Sequence, residues 1–162
     1  MFKEFNPNPV GRTDAGDCAI RAVAKALNIS WEDAYVKLCV SGFAMGDLPN
    51  ADNTFGAVLR MHGFKKRVLP DTCPDCYRVE DFAKDNPHGI FVLGLGGHVV
   101  TIVNGDIYDA WDSSNGIPIY FWFKDERVNN ESIQQSNTVP NILGASGSAA
   151  VSADTVSKST IK

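Results

Sequence analysis

The chain has 162 residues, a formal net charge of −4 at pH 7 and a pI of about 5.3, and its apolar and charged fractions are those of an ordinary globular domain. The acidic balance argues against a nucleic-acid partner, because phosphate binding requires a basic face. No apolar run is long enough to cross a bilayer, and the first residues lack the apolar stretch of a signal peptide. We therefore expect a cytoplasmic protein with no membrane partner, whose four cysteines need not be bridged.

The first strong feature lies near the N-terminus, where Asp17 and Cys18 precede a nearly uniform apolar run. Only Arg21 and Lys25 interrupt this run with charge, so it predicts a buried helix that ends near Asn28. Asp17 is expected to cap the helix, and Cys18 then lies in the first turn, where the helix dipole favours a thiolate. From this stretch alone, a core cysteine that only packs and a nucleophile both remain open.

The remaining elements follow from changes in hydrophobic period. Residues 1–16 are expected to be extended chain and turns. Further helices are predicted from Trp31, capped by Ser30 and ended by Gly42, from Phe55 to His62, capped by Thr54, and around Val79–Ala83. Strands are predicted at Lys66–Leu69, Ile90–Leu93, His98–Val103, Asp106–Asp112 and Pro118–Phe123. Helices followed by an antiparallel sheet indicate an α+β fold.

The composition changes after about Lys124. Residues 129–162 are rich in Ser, Asn, Thr, Ala and Gly and contain no aromatic residue. We interpret them as a flexible tail, with a linker or assembly arm as the alternative, and residues 1–128 as a single domain. The sequence does not indicate an oligomeric state.

His98 is the candidate base for the thiol, because it begins a predicted strand after two glycines that leave space around the imidazole. Asn104-Gly105 is a strong signal for a two-residue hairpin turn. With that turn His98 faces Trp111, and Asp109 shares the same face one diagonal step away. A bulge or a wider turn would instead bring Asp112 opposite His98. Both carboxylates are therefore candidates for orienting the imidazole.

The pair Cys73-Pro-Asp-Cys76 invites a comparison with zinc sites. A structural zinc ion needs four ligands, and the other candidate ligands, Cys39, His62 and His88, are scattered along the chain. A structural turn and a metal or redox clip both remain open for this pair. We assign no metal and no cofactor.

Three segments together carry a resemblance to a known family. The motif Gly16-Asp-Cys-Ala-Ile-Arg-Ala22, followed by Gly97–Val103 and Asp106–Asp112, resembles the papain-like cysteine peptidase superfamily. The nearest branch is the compact bacterial one that includes the double-glycine leader peptidases. The shared features are the order of Cys, His and Asp and a Trp beside the carboxylate. The chain is also similar to small phage and prophage proteins of Gram-positive bacteria, and the resemblance covers about residues 8–123.

The resemblance implies a papain-like fold in which N-terminal helices, with the cysteine on the central one, pack on a C-terminal antiparallel sheet. It implies that Cys18 is the nucleophile, His98 the base and Asp112 the residue that orients the base, with Asp109 in reserve. The implied activity is hydrolysis of a peptide or isopeptide bond in a peptide or protein substrate, in the host cytoplasm if the protein is phage-encoded.

One departure from the superfamily concerns the oxyanion hole. The superfamily usually has a Gln several residues before the Cys, whereas the first Gln of this chain is Gln134. Loss of such a donor typically costs on the order of a hundredfold in rate. This departure favours a catalytically inactive papain-like binding or structural protein, and a cell-wall endopeptidase is a further alternative.

Overall fold

The computed structural model describes residues 1–70 and 77–124. The Cys73/Cys76 pair and the predicted tail lie outside these residues. In chain order the described elements are β1 (Phe2–Glu4), α1 (Cys18–Leu27), α2 (Trp31–Met45), α3 (Asp52–Met61), β2 (Phe64–Val68), α4 (Val79–Asp85), β3 (Ile90–Leu95), β4 (His98–Val103), β5 (Asp106–Asp109) and β6 (Pro118–Lys124). The fold is α+β, as predicted.

The helices agree with the sequence prediction in kind and differ at some ends. The Ser30 side chain caps α2 by accepting from the Asp33 N–H at 3.0 Å, as expected. Gly42 lies inside α2 and does not end it, so that prediction is wrong. Glycine is needed at this position because a Cβ there would lie 2.6 Å from the Asp47 carbonyl oxygen. Gly46, with φ of 66°, ends the helix instead. None of the described helices is long and apolar enough to span a membrane.

The six described strands form one sheet in the order β1-β5-β4-β3-β6-β2. All neighbouring pairs are antiparallel except β1 and β5, which run parallel with Phe2 opposite Ile107. The sheet is therefore mixed. The strands from β2 onward pair with one another in the antiparallel direction, as predicted, whereas β1, in a segment predicted to be extended chain and turns, adds a parallel strand at one edge. With three residues, β1 is too short to show a period of two in the sequence.

The core consists of two apolar clusters. Along β3 and β4, neighbouring residues belong to different clusters. Val92 and Val99 pack with α1 and α3, whereas Leu93 and Val100 pack with α4. Neighbouring strand residues point to opposite sheet faces, so these pairs place helices on both faces. On the first face the buried Thr101 hydroxyl donates to the Ala22 carbonyl at 3.0 Å, which ties the middle of α1 to the middle of β4.

Glycine at position 94 is required for the packing of β6 on β3. A Cβ on Gly94 would overlap the Tyr120 ring, whereas a Cβ on Gly96 would meet no atom within 4 Å. We expect Gly94→Ala to lower the free energy of unfolding by about 1–3 kcal/mol, the usual cost of overpacking. The matched control Gly96→Ala is expected to stay within about 0.5 kcal/mol of the unchanged protein. Urea denaturation measures both, and equal effects would contradict this account.

Candidate active site

The site lies where the first residues of two packed elements meet. Cys18 is the first residue of α1, and His98 is the first residue of β4. Because α1 packs along β4, these two residues are brought together at one end of the contact. The Cys18 thiol and the His98 imidazole lie close enough for each to shift the pKa of the other. The pairing that the sequence predicted for these side chains is present.

The β4–β5 hairpin supplies the carboxylate. Asn104 and Gly105 form the two-residue turn with φ of 51° and 79°, and Val103 pairs with Asp106. This is the predicted register, in which Asp109 lies diagonally across from His98. His98 Nε2 lies 2.6 Å from Asp109 Oδ2. Since Nε2 is occupied by this contact, Nδ1 is the ring nitrogen left for the thiol.

Asp112, which the family resemblance favours as the orienting residue, does not contact His98. The β4–β5 pairing has no bulge, and β5 ends at Asp109. Asp112 is exposed, and its Oδ1 accepts from the Ser114 N–H at 3.0 Å and from the Ser114 hydroxyl at 2.5 Å. Trp111 lies opposite His98 as the register predicts, with ring centroids 4.3 Å apart.

The electrostatics of the site favour a thiolate and an imidazolium. Burial raises the pKa of Cys18, but the hydrogen bond and charge of His98 and the N–H groups of Val99 and Ala19 outweigh it, so this pKa is lowered from its usual value. Burial opposes the charge on His98 as well, yet the hydrogen bonds to Asp109 and Cys18 and their charges raise the pKa of His98 to about 9. His98 is therefore protonated near neutral pH, and the thiolate of Cys18 is favoured relative to that of an ordinary thiol.

Asp17 does not cap α1, so that prediction is wrong. It holds the N-cap position, but its side chain makes no capping hydrogen bond. The buried carboxylate accepts instead from the Arg21 guanidinium, from Asn8 Nδ2 at 3.0 Å and from Trp31 Nε1 at 2.9 Å. The ion pair with Arg21 offsets the negative charge of Asp17, the residue next to Cys18.

Sequence reasoning missed this cluster of Asn8, Arg21 and Trp31 around Asp17. The spacing of Asp17 and Arg21, four residues apart on one helix, is a signal that could have indicated the ion pair. The Arg21 guanidinium also lies 5.6 Å from the Trp111 ring centroid. It thus connects the start of α1 to the tryptophan that covers His98.

The arrangement can support acyl transfer by a thiolate. Because the Asp17 side chain does not occupy the first N–H groups of α1, these groups and the helix dipole are available to an anion at Cys18. No group of three or more His, Cys, Asp or Glu residues that could hold a metal ion occurs among residues 1–70 and 77–124.

The Asp109 contact has a direct spectroscopic consequence. We expect the imidazole of His98 to titrate at about 9 and Asp109→Asn to lower its pKa, because the carboxylate stabilises the imidazolium. NMR titration of the three histidines, assigned with His98→Ala, measures this. Asp112→Asn is the matched control and should leave the pKa of His98 in place. A larger fall in Asp112→Asn than in Asp109→Asn would contradict the described contact.

The buried ion pair of Asp17 and Arg21 should make each residue sensitive to loss of the other, because either charge alone would be buried without a partner. Asp17→Asn leaves a buried guanidinium without its carboxylate and is expected to lower the free energy of unfolding by about 3–5 kcal/mol. Arg21→Met added to Asp17→Asn should recover part of that loss, since no buried charge remains. The control is the exposed pair of Arg12 and Asp14, where Asp14→Asn should cost less than about 1 kcal/mol. Strictly additive effects of the Asp17 and Arg21 changes in urea denaturation would contradict the coupling.

Comparison with known proteins assigns no family to this chain. No family model matches the chain, and neither the curated proteins nor the solved structures contain a match. The function is therefore inferred from the geometry of Cys18, His98 and Asp109.

Proposed function

We propose that the protein is a papain-like cysteine peptidase or amidase that uses Cys18, His98 and Asp109. The observation that supports the proposal is the alignment of the three groups: the thiol of Cys18 lies close enough to His98 to have its pKa lowered, and His98 Nε2 lies 2.6 Å from the buried carboxylate of Asp109. A nucleophile, a base and a group that orients the base are the three parts that this chemistry requires.

In the first step the Cys18 thiolate attacks the carbonyl carbon of an amide, and a carbon–sulfur bond forms. The carbonyl oxygen gains negative charge beside the N-terminus of α1, where backbone N–H groups and the helix dipole stabilise it. The imidazolium of His98 gives its proton to the amide nitrogen, the carbon–nitrogen bond breaks, and an amine leaves.

In the second step water attacks the acyl-enzyme. Neutral His98 takes a proton from the water, the carbon–sulfur bond breaks, and a carboxylic acid leaves with the thiolate restored. Asp109 holds the imidazole through Nε2 during both steps and stabilises its charged form. Trp111 covers the ring face and limits access of water to the contact between His98 and Asp109.

A catalytically inactive binding module is the second candidate, and the absence of a Gln before position 134 favours it. In that case the thiol would remain reactive, because its pKa is lowered by His98 and by the N–H groups of Val99 and Ala19, and not by a Gln side chain. Acyl transfer would fail. Thiol reactivity and ester cleavage measured together therefore distinguish the two candidates.

The reactivity of Cys18 tests the thiolate. At pH 6, well below the usual thiol pKa of about 8.5, limiting iodoacetamide is expected to alkylate Cys18 before the other cysteines. His98→Ala should slow this alkylation by about tenfold for each unit by which the pKa of Cys18 rises. Cys39→Ser, a change on α2, is the matched control. Mass spectrometry locates the label, and alkylation elsewhere with Cys18 unmodified would overturn the proposal.

Catalysis is tested on the same variants with N-acetylglycine p-nitrophenyl ester. The proposal requires release of nitrophenol that Cys18→Ser abolishes and Cys39→Ser retains. Alkylation at Cys18 without cleavage of this ester would favour the binding module.

A further inference from the structure

A cleft of about 400 Å³ adjoins the imidazole of His98. It lies between the turn at Gly96 and the loop that joins β5 to β6. His98 and Trp111 line it, together with Asp112 and Ser113 from the loop. The cleft is thus in contact with the proton-transfer residue of the proposed site.

Two ionisable side chains line the cleft, His98 and Asp112. The positive charge of His98 is paired with Asp109, so the exposed carboxylate of Asp112 is the charge that remains for a ligand. The Ser114 hydroxyl and N–H hold the pKa of Asp112 below its usual value. None of the residues that line the cleft is a lysine or an arginine. Two arginines contact residues of the wall and have partners of their own, since Arg78 donates to Asn115 Oδ1 and Arg21, over the Trp111 ring, pairs with Asp17.

The proposed chemistry determines which part of a substrate lies on this side. Cys18 retains the acyl group, whereas the imidazolium delivers its proton to the departing nitrogen. The amine must therefore leave past His98, and the cleft beside the ring is the space that can receive it.

We propose that this cleft binds the residue on the amine side of the broken bond and that Asp112 selects a positively charged side chain there. The inference rests on the proposed function and deepens it by naming the substrate class, which is amides whose departing amine carries a lysine-like or arginine-like group. The carboxylate that does not orient His98 thereby acts in specificity.

Transfer of the acyl group to added amines tests the cleft without a known peptide. The acyl-enzyme is formed from N-acetylglycine p-nitrophenyl ester, and argininamide or citrullinamide is added as acceptor. The α-amine attacks the thioester carbonyl, its proton passes to His98, the carbon–sulfur bond breaks, and a new amide is released. Because this is the reverse of amine departure, the acceptor enters on the same side. The two acceptors have nearly the same shape and differ in charge.

We expect the wild-type protein to form the argininamide product about two- to fivefold faster than the citrullinamide product, which is the effect of one partly exposed ion pair. High salt should reduce this ratio of rates, because it screens the ion pair. Asp112→Asn should bring the ratio close to one. Asparagine keeps an oxygen that accepts from Ser114, so the loop is retained. Glu32→Gln removes an exposed carboxylate on α2 and should keep the preference. Gly96→Leu, at a position with open space, should reduce transfer to both amines.

The outcomes separate the two proposals. Equal transfer to both amines, or a preference that survives in Asp112→Asn, overturns the role of Asp112 and leaves the proposed function intact. Absence of Cys18-dependent nitrophenol release overturns the proposed function and the inference with it.

Discussion

The packing of α1 along β4 is the constraint on which the site depends. Small residues of α1 allow close approach, and the buried hydrogen bond from the Thr101 hydroxyl to the Ala22 carbonyl sets the position of the helix along the strand. One helical turn before Ala22 lies Cys18, and one end of β4 is His98. Because each residue rises 1.5 Å in a helix and about 3.3 Å in a strand, a shift of the helix by one turn would separate thiol and imidazole.

The environment of Asp17 explains how a carboxylate can lie next to a cysteine whose thiolate is favoured. A carboxylate beside Cys18 would disfavour a thiolate, whereas the pKa of Cys18 is lowered. The carboxylate is buried against Arg21 and accepts from Trp31 of α2. Its charge is therefore compensated inside the domain, and the same contacts join the start of α1 to α2. Burial of an ion pair contributes little net stability, which is consistent with a role in the geometry and charge of the site.

Asp109 and Asp112, the two candidates for orienting His98, differ in their exposure to solvent. Asp109 is 3% exposed and lies in a paired strand, so its carboxylate has a fixed direction towards His98. Asp112 lies beyond the end of β5, exposed and held by Ser114. A buried carboxylate is suited to stabilising an imidazolium, since the lower dielectric strengthens the interaction. An exposed one is suited to contacting a charged ligand that arrives from solvent.

By itself, the sequence determined the α+β class, the start of α1 at Cys18 and the Asn104-Gly105 hairpin. These depend on local period and turn chemistry, and the hairpin register alone is sufficient to place Asp109 diagonal to His98. The resemblance instead favoured Asp112, because a family pattern records order along the chain and not register. Only the tertiary structure decided the parallel addition of β1, the partners of Asp17 and the cleft beside His98. Each of these depends on contacts between segments distant in sequence, which no local pattern specifies.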